Sequence, residues 1–460
     1  MNTVTLLLDD HSKIPLYEQL YQYFVNEIKH KSIAENERLP SKRGLASHLQ
    51  ISQSTVESAY AMLLQEGYIR SVPRSGYYAC PLQGLCLDPQ TTDIPATSEA
   101  TPSPYRLQFK TNAVDVHSFP YATWTKLLKT VMLDRPELLN SGEGKGDLFL
   151  RVAIAKYLHE FRGVNCTPDQ IVVGAGMEYL IMLLTQILGD KAIFALENPG
   201  YPKLESVFFN LGCPTRYLNL DSQGLDLNQL AHSDANIACI TPSCQFPTGV
   251  VMPVGRRLAL LQWAGEKKDR YIIEDDYNSE FHLKGKPIPA VQGLDHQHKV
   301  IYLSTFSRIL APSIRIAYMV LPRPLLVRYE TCLRSYSSTV SRFEQHTLGT
   351  FIEGGYLSRH LNRMKIIYRK RRDLVLSLLK QSPLYSDMEI TGENAGLQLL
   401  IRLRTHNVKD IVDKAEHHKI KVYLLKDYYF TDHPDPNTLI LGYAGLDDKK
   451  IKEAIPLLFG

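Results

Sequence analysis

The sequence has no apolar segment long enough to span a membrane. Its longest nearly unbroken apolar run, YLIMLLTQIL at residues 179–188, falls short of the roughly 20 residues that a membrane-spanning helix needs. The first residues, MNTVTLLLDD, have neither the basic start nor the apolar core of a signal peptide. We therefore expect a soluble, cytoplasmic protein with no membrane partner.

Cysteine and net charge are also scarce. The seven cysteines are scattered, with no CxxC pair and no histidine at metal-ligand spacing, which predicts a reducing compartment and no metal site. The formal net charge of +4 is too small to indicate a nucleic-acid binder by itself, so any such site must be local. With 460 residues, the chain is long enough for roughly two or three domains.

Residues 1–80 have the pattern of three helices followed by a hairpin. The first helix is indicated by apolar residues at helical spacing, namely Leu16, Leu20, Phe24 and Ile28. In LPSKRGLASHL, Ser41 has the place of an N-cap for the second helix, and Ser52 that of a cap for the third. The segment YIRSVPRSGYYAC then offers two β-prone runs separated by PRSG, which is typical of a hairpin.

Two short helices joined by a tight turn and followed by a hairpin describe a winged helix-turn-helix. Such a unit places the N-terminal residues of its second helix against base edges, while the hairpin, or wing, reaches phosphate or the minor groove. Lys/Arg and Asp/Glu balance in residues 1–80, but their distribution favours DNA. The residues predicted to bind DNA lie at the helix starts and on the wing: Ser41, Lys42, Arg43, Ser52, Gln53, Ser54, Thr55, Arg70, Arg74 and Gly76. The alternative is a structural or dimerisation module, because charged helix starts are usually solvated.

This stretch resembles the GntR class of bacterial repressors. It matches their pattern of LPSxRxLA, a short turn, TVxxAYxxLxxEGY and a glycine-tipped wing almost residue for residue. The resemblance implies a double-stranded DNA operator as partner. Gln53 departs from the pattern, since many relatives carry an arginine there, and we expect this change to affect base preference rather than docking.

The composition changes after the hairpin. Residues 81–104 are rich in proline, serine and threonine, which predicts an exposed, semi-extended linker. Within residues 105–460, helical patterns alternate with β-rich runs such as IVVGAG, IACITP, YIIEDDY and VIYLSTF. This alternation predicts an α/β domain with a mainly parallel sheet covered by helices on both faces. The last part, from about residue 365, predicts a smaller α+β lobe.

Four loops follow predicted strands, where ligands of α/β proteins gather. They are VVGAGMEYL, ENPGYPK, TPSCQFPTG and IIEDDYNSEF. Gly176 lets the backbone approach a ligand while the next helix offers its N-terminus to an anion. Tyr201 can lie over a flat ring, and one carboxylate of the fourth loop can face a pyridinium nitrogen. For one of the two aspartates, Asp275 and Asp276, the expected alternative is a solvated acidic turn.

Together and in this order, the loops resemble the aspartate-aminotransferase fold of pyridoxal phosphate enzymes, fold type I. Joined to a GntR-like head, they resemble the MocR/GabR family of transcriptional regulators across essentially the whole chain. The resemblance implies a homodimer, with Asp275 at the pyridine nitrogen of the cofactor, Tyr277 near its phenolic oxygen and Tyr201 stacked on its ring. The implied phosphate ligands are Thr305, Ser307, Arg315 and the amides around Gly176 and Met177.

The sequence departs from this family where transamination needs reactive groups. In STFSRILAPSIR, the Schiff-base lysine falls on Arg308, whose guanidinium has no usable free amine for imine formation. The carboxylate-binding arginine, expected in a GFARL-like segment, falls on Gly445 of GYAGLDD. Cys244 stands where a histidine is common, and Lys203 where an arginine occurs. We therefore predict an aminotransferase-like domain that is not an enzyme.

Arg308 has two interpretations. It can contact a phosphate or carboxylate of a reversibly bound ligand, or it can fill the cavity by pairing with Asp275 or Tyr277. The first predicts a regulator that holds a small-molecule effector, pyridoxal 5'-phosphate, a related vitamer or an amino-acid-like molecule, without a covalent bond. The second leaves a regulator whose large domain only dimerises. A third hypothesis is an active aminotransferase with an accessory DNA-binding head.

Overall fold

The computed structural model describes residues 6, 8, 9, 12, 14–82, 104–283, 289–394, 396–432, 434 and 436–460. The chain divides into two compact units, Met1–Pro102 and Ser103–Gly460. The predicted linker, residues 81–104, lies almost entirely outside the described residues, and its extended character stays a prediction. No helix in the described ranges combines the length and the apolar composition needed to cross a bilayer.

The first unit contains the predicted helices and hairpin. Its elements are α1 (Leu16–Lys29), α2 (Lys42–Leu49), α3 (Gln53–Gln65), β1 (Ile69–Val72) and β2 (Gly76–Ala79). Ser41 caps α2 by accepting a hydrogen bond from the N–H of Gly44 at 3.1 Å. Ser52 caps α3 in the same way through Thr55. The two caps satisfy N–H groups that helix starts leave unpaired.

One apolar cluster holds this unit together. Leu20 and Phe24 of α1 pack with Val56, Tyr60 and Leu63 of α3. The hydroxyl of Tyr60 donates a hydrogen bond to the carbonyl oxygen of Pro40 at 3.0 Å. Three of the four apolar residues that predict the first helix, Leu20, Phe24 and Ile28, are buried. The polar start of α3 is left at the surface.

The second unit alternates helices and strands. Its first part contains β3 (Leu107–Gln108), α4 (Tyr121–Asp134), α5 (Leu148–Arg162), β4 (Ile171–Gly174), α6 (Met177–Leu188), β5 (Phe194–Asn198), α7 (Pro202–Asn210), β6 (Thr215–Asp221), β7 (Gly224–Leu225), α8 (Leu227–His232), β8 (Ile237–Ile240) and α9 (Val254–Gly265). The rest contains β9 (Tyr271–Asp275), β10 (Val300–Thr305), β11 (Ala317–Val320), α10 (Arg323–Cys332), α11 (Arg342–Glu353), α12 (Tyr356–Lys380), β12 (Met388–Thr391), β13 (Gln398–Leu403), α13 (Val408–His417), β14 (Ile420–Lys421), β15 (Tyr423–Leu424), β16 (Thr438–Gly442) and α14 (Asp448–Phe459).

The central sheet of this unit has eight strands in the described residues, in the order β4-β11-β10-β9-β8-β5-β6-β7. The block from β10 to β6 is parallel throughout. β11 runs antiparallel between β10 and β4, and β7 pairs antiparallel at the opposite edge. The predicted mainly parallel sheet is confirmed.

Helices cover both faces of this sheet. Successive strand residues point to opposite faces: Tyr302 and Tyr318 share an apolar cluster with α5, α11 and α12. Their neighbours Ile301 and Met319 share another cluster with α6 and α10. A parallel block buried in this way leaves its strand ends and the following loops as the places open to a ligand.

A smaller antiparallel sheet forms towards the C-terminus. Its order in the described residues is β12-β13-β16-β15. Leu399 and Ile401 of β13 pack in one cluster with Ile411 of α13 and Ile455 of α14, which gives the expected α+β lobe. The predicted start of this lobe, at about residue 365, falls inside α12 because that helix is continuous.

Candidate functional site

The N-terminal turn of α3 is the candidate surface for reading DNA bases. The hydroxyl of Ser52 lies 2.7 Å from Thr55 Oγ1 and 2.8 Å from Ser54 Oγ. Ser52 therefore shares hydrogen bonds with both of the other hydroxyls at the helix start. Gln53 is exposed in the same turn, and its amide offers both a donor and an acceptor to a base edge.

Charged neighbours surround Gln53. Its Nε2 donates a hydrogen bond to Glu57 Oε1 at 3.2 Å, and Lys42 Nζ lies 3.7 Å from the same oxygen. Lys42 also lies 5.4 Å from the ring centroid of Tyr77 on the wing. Arg43, next to it, is exposed. Sequence reasoning missed Glu57, although its i+4 spacing from Gln53 on one helix face was a readable signal.

The wing carries two of the predicted basic residues, and Arg74 lies at its tip. Arg74 has a left-handed φ of 59°, and Gly76 has a φ of 119° that favours glycine. Arg70 donates a hydrogen bond to Asn36 Oδ1 at 2.8 Å, so its guanidinium is held against the body of the unit. Arg38 lies beside the wing, with its Nε 3.4 Å from the place of a Cβ on Gly76. Sequence reasoning did not single out Arg38 for DNA, because only the fold brings it to the hairpin.

A cavity of about 250 Å³ opens in the second unit at the carboxyl ends of β9 and β10. Every residue predicted to bind a ligand lines it except Gly176, which lies directly behind the guanidinium of Arg315. The structure therefore brings the four predicted loops together. Each contributes at least one wall residue: Met177, Tyr201, Phe246 and Asp275.

One end of the cavity, the anion end, is formed by Gly176, Thr305, Ser307 and Arg315. A Cβ on Gly176, whose φ is 103°, would collide with the guanidinium of Arg315, so only glycine leaves room there. Thr305 Oγ1 accepts a hydrogen bond from the N–H of Ser307 at 3.1 Å. The hydroxyl of Ser307 is buried and has no hydrogen-bond partner among the described residues. It is available to a ligand.

Aromatic side chains form part of the cavity wall beyond the anion end. Tyr201 packs edge to face on Phe246, with ring centroids 5.3 Å apart, and Tyr277 also packs edge to face on Phe246, at 6.1 Å. The hydroxyl of Tyr277 faces the thiol of Cys244 at 4.0 Å. Burial raises the pKa values of both the Tyr277 phenol and the Cys244 thiol, so both groups stay neutral near pH 7.

Asp275 is a buried carboxyl with an unmet acceptor. Its Oδ1 has no hydrogen-bond partner in the described part of the chain, and burial, followed by the charges of Asp276 and Glu197, raises its pKa to about 8. A cationic donor in the cavity would reverse that effect. Protonated pyridine nitrogen is such a donor.

The neighbouring aspartate is not solvated, contrary to the expectation for an acidic turn. Asp276 is 1% exposed and accepts hydrogen bonds from Arg162 Nε at 2.8 Å and from the hydroxyl of Tyr302 at 2.6 Å. Asp276 therefore belongs to a buried ion pair behind the sheet, because successive residues at a strand end point to opposite faces. Asp275 is left as the carboxyl of the cavity.

Arg308 lies against Tyr277 instead of Asp275. Its guanidinium carbon is 5.8 Å from the ring centroid of Tyr277, and its Nη1 donates a hydrogen bond to the carbonyl oxygen of Thr111 at 3.1 Å. Its Nε is buried without a partner among the described residues. No described ion pair joins Arg308 to Asp275, and the cavity remains open beside it. Arg308 thus keeps a donor for a ligand.

Two further charged residues lie at the anion end, Glu178 of α6 and Lys203 of α7. Glu178 forms ion pairs with both Lys203 and Arg315. Sequence reasoning noted Lys203 only as a departure from relatives and missed Glu178. No spacing rule connects these residues, because α6, α7 and the segment after β10 meet only in the fold.

Gly445 is not among the residues that line the cavity. It is exposed in the turn between β16 and α14, and a Cβ there would meet that of Ala113 at 2.6 Å. Its assignment as the missing carboxylate-binding position stays a prediction. The cations on the wall are Lys203, Arg308 and Arg315.

These features fit pyridoxal phosphate. The glycine at 176 leaves space next to a cation, Ser307 and Arg308 offer unused polar groups, and Asp275 lacks a cationic partner. The same donor set also fits other small molecules that combine an anionic group with a protonated nitrogen.

Two family models match the chain. Residues 16–78 match "Bacterial regulatory proteins, gntR family", and residues 107–458 match "Aminotransferase class I and II". In fold, the chain is similar to the multiple substrate aminotransferase of Thermococcus profundus, with a TM-score of 0.68 and 24% identity over 77% of this chain and 90% of that one.

Curated relatives combine both parts. The chain is 39% identical to the HTH-type transcriptional regulator YdeL of Bacillus subtilis, over 99% of this chain and 98% of that protein. It is 32% identical to the probable rhizopine catabolism regulatory protein MocR of Rhizobium meliloti, over 98% and 94%. It is 29% identical to the pyridoxine biosynthesis transcriptional regulator PdxR of Corynebacterium glutamicum, over 97% and 96%. The chain therefore belongs to the MocR/GabR family of HTH-type transcriptional regulators, in which a GntR-type winged helix-turn-helix precedes an aminotransferase class I and II domain.

Proposed function

We propose that the protein is a DNA-binding transcription regulator whose second unit senses a small ligand held without covalent chemistry. The observation that carries this proposal is the cavity itself. It combines cations at one end with an unpartnered buried carboxyl, Asp275, at the other, and it has an arginine where an amine would be needed for covalent capture. We place the protein in the cytoplasm, where its operator DNA lies.

The ligand class we propose is pyridoxal 5'-phosphate, a related vitamer or an amino-acid-like molecule. Pyridoxal phosphate supplies, when bound, a carbonyl that amines attack. Asp275 would hold a protonated ring nitrogen, Tyr201 would stack on the ring, and Ser307 with Arg315 would bind the anionic group. The name of the relative PdxR refers to pyridoxine biosynthesis, which supports a vitamer.

We propose that the second unit does not catalyse transamination. A guanidinium remains protonated and lacks the free amine that a lysine supplies, and Lys203, the lysine on the described cavity wall, is engaged by Glu178. Arg308 instead packs over the ring of Tyr277 in the cavity wall, and its Nε–H remains available to a ligand. These residues can bind and position a ligand reversibly.

The proposed regulation requires two arrangements of the protein that bind the ligand differently, because a ligand shifts an equilibrium only by its differential affinity. We propose a homodimer, since paired heads suit the half-sites of an operator. Large apolar side chains on and after α4 support a self-association surface: Tyr121, Leu133 and Leu139 are 61%, 70% and 78% exposed.

Two experiments on the full chain test the proposal. Mobility shifts with genomic fragments from its own promoter region should show a specific complex that Arg43→Ala weakens. Vitamers should bind in calorimetry, leave on dialysis and remain unattached to the chain after borohydride reduction. Transaminase turnover with any amino donor, or an adduct on the protein after borohydride, would contradict the non-covalent sensor.

A further inference from the structure

The carboxylate of Glu178 lies at the anion end of the cavity. Glu178 is the second residue of α6, and its Oε2 lies 2.6 Å from Nη2 of Arg315. Its Oε1 forms an ion pair with Lys203. The same carboxylate therefore engages two of the three cations on the cavity wall, at the helix start where an anionic ligand group would bind.

Glu178 is ionised near neutral pH. Burial raises its pKa, but hydrogen bonds from Lys203, from its own backbone amide and from Arg315 lower it more, to about 2. Each carboxylate oxygen of Glu178 forms an ion pair with one cation, Oε1 with Lys203 and Oε2 with Arg315. Lys203, Arg315 and Glu178 together leave one net positive charge, which is less than a phosphate dianion needs for neutralisation.

Of the cations on the described cavity wall, Arg308 stays outside the ion pairs of Glu178. Arg308, the remaining cation on the wall, lies against Tyr277 and donates to the carbonyl of Thr111. Oε2 of Glu178 lies 2.9 Å from the place of a Cβ on Gly176, so the carboxylate borders the space that this glycine leaves beside Arg315. A phosphate entering the anion end must therefore separate Glu178 from its cations or accept its repulsion, and either step costs binding free energy.

The side chain of Glu178 has a route out. It is 27% exposed, and those of Lys203 and Arg315 are 56% and 46% exposed. Lys203 has a long, flexible side chain, and Glu178 lies at a helix surface. The ion pair can thus open towards solvent without unpacking the apolar cluster below α6.

We propose that Glu178 acts as a built-in competitor for the anionic group of the ligand, and so sets both affinity and selectivity. The proposal rests on the function proposed above and specifies its ligand. Vitamers that carry a phosphate must displace Glu178 or bear its repulsion, and they are released readily. Vitamers without a phosphate bind while the ion pairs of Glu178 stay intact. A regulator that does not release its ligand cannot respond to changes in the ligand's concentration. Competition by Glu178 keeps the ligand exchangeable.

The test compares Glu178→Gln with the unaltered full chain by isothermal titration calorimetry. Glutamine keeps the size of the side chain and removes its charge. Pyridoxal phosphate should bind the variant roughly three- to tenfold more tightly, since the repulsion between a partly exposed carboxylate and a phosphate beside it is about this large. Pyridoxal, which has no phosphate, should bind both proteins equally. Glu330→Gln is the matched control, because Glu330 pairs with Lys145 and does not line the cavity.

A second variant, Glu178→Asp, keeps the charge on a shorter side chain and should not show the tightening. Equal tightening in both variants would overturn the proposal, because charge would not be the cause. Unchanged or weaker binding of pyridoxal phosphate by Glu178→Gln, with an unaltered melting temperature, would show that Glu178 only positions Arg315 and would also overturn it.

Inorganic phosphate separates this inference from the proposed function. If neither protein binds any vitamer, the proposed ligand class is wrong. Glu178→Gln must even then bind inorganic phosphate more tightly than the unaltered chain, because the competition concerns only Lys203 and Arg315. Equal phosphate affinities would refute the role of Glu178 whatever the ligand is.

Discussion

Asp275→Asn should stabilise the ligand-free protein and weaken its binding of vitamers. In the folded chain the pKa of Asp275 is about 8, against an ordinary value of 3.8. Between these values the folded carboxyl keeps a proton that the unfolded one has lost. Folding therefore becomes less favourable as pH rises from about 4 to about 8, and above that the loss is constant. Asparagine resembles the protonated acid and removes this cost.

The size of the effect follows from the two pKa values. At pH 7, roughly three pH units above the ordinary value, the cost reaches about 4 kcal/mol at about 1.4 kcal/mol per unit. Asp275 faces an open cavity, and water there reduces the cost to about 2 to 4 kcal/mol. The stabilisation by Asp275→Asn should be near zero at pH 4 and grow steadily up to about pH 8.

Denaturant unfolding of the full chain at pH 5, 6, 7, 8 and 9 measures this gain, with Asp190→Asn as control because Asp190 is exposed. The control should show no pH-dependent gain. Calorimetry with pyridoxal phosphate should show weaker binding by Asp275→Asn, since a neutral amide provides no charge for a protonated ring nitrogen. A variant that is less stable at pH 7, or a gain that does not change with pH, would refute the burial argument for Asp275.

Four other substitutions test the remaining assignments. Arg308→Lys should let borohydride link a vitamer to residue 308 by mass spectrometry, because an amine then replaces the guanidinium; failure would mean that the cavity does not hold the ligand as proposed. Gln53→Ala should change the bases chosen in operator selection with little loss of salt dependence, whereas Arg43→Ala should weaken all sequences and lower the salt slope by about 1; identical behaviour of the two would contradict the head assignment. Gly176→Ala should reduce phosphate affinity in calorimetry by displacing Arg315, and an unchanged affinity would count against the anion end.

Local signals allowed much of the head to be predicted. Ser41 and Ser52 are caps because their hydroxyls reach the N–H groups of their own helix starts, and that geometry depends on only a few neighbouring residues. The contact of Arg38 with the wing could not be predicted in this way, because it joins a loop to a hairpin far along the chain. The DNA-binding roles themselves stay predictions.

The sequence predicted which residues line the cavity but not how the charged residues in and around it are paired. The resemblance brought Asp275, Arg308 and Arg315 to one place, and they line one cavity. The solvated turn expected for one aspartate was wrong, because Arg162 and Tyr302 reach Asp276 from distant segments. Pairings of this kind depend on strand order and helix placement, which no local pattern encodes.

The placement of β11 has a consequence for synthesis on the ribosome. Among the strands that the structure describes, β4 is an edge strand whose neighbour is β11, so Gly174 finds its partner Ala317 only after more than half of the chain has been made. The head can close its own apolar core as soon as its residues have emerged. The cavity cannot form until Arg315 has been synthesised. A nascent chain therefore passes through a period in which its DNA-reading part has folded and its ligand-binding part has not.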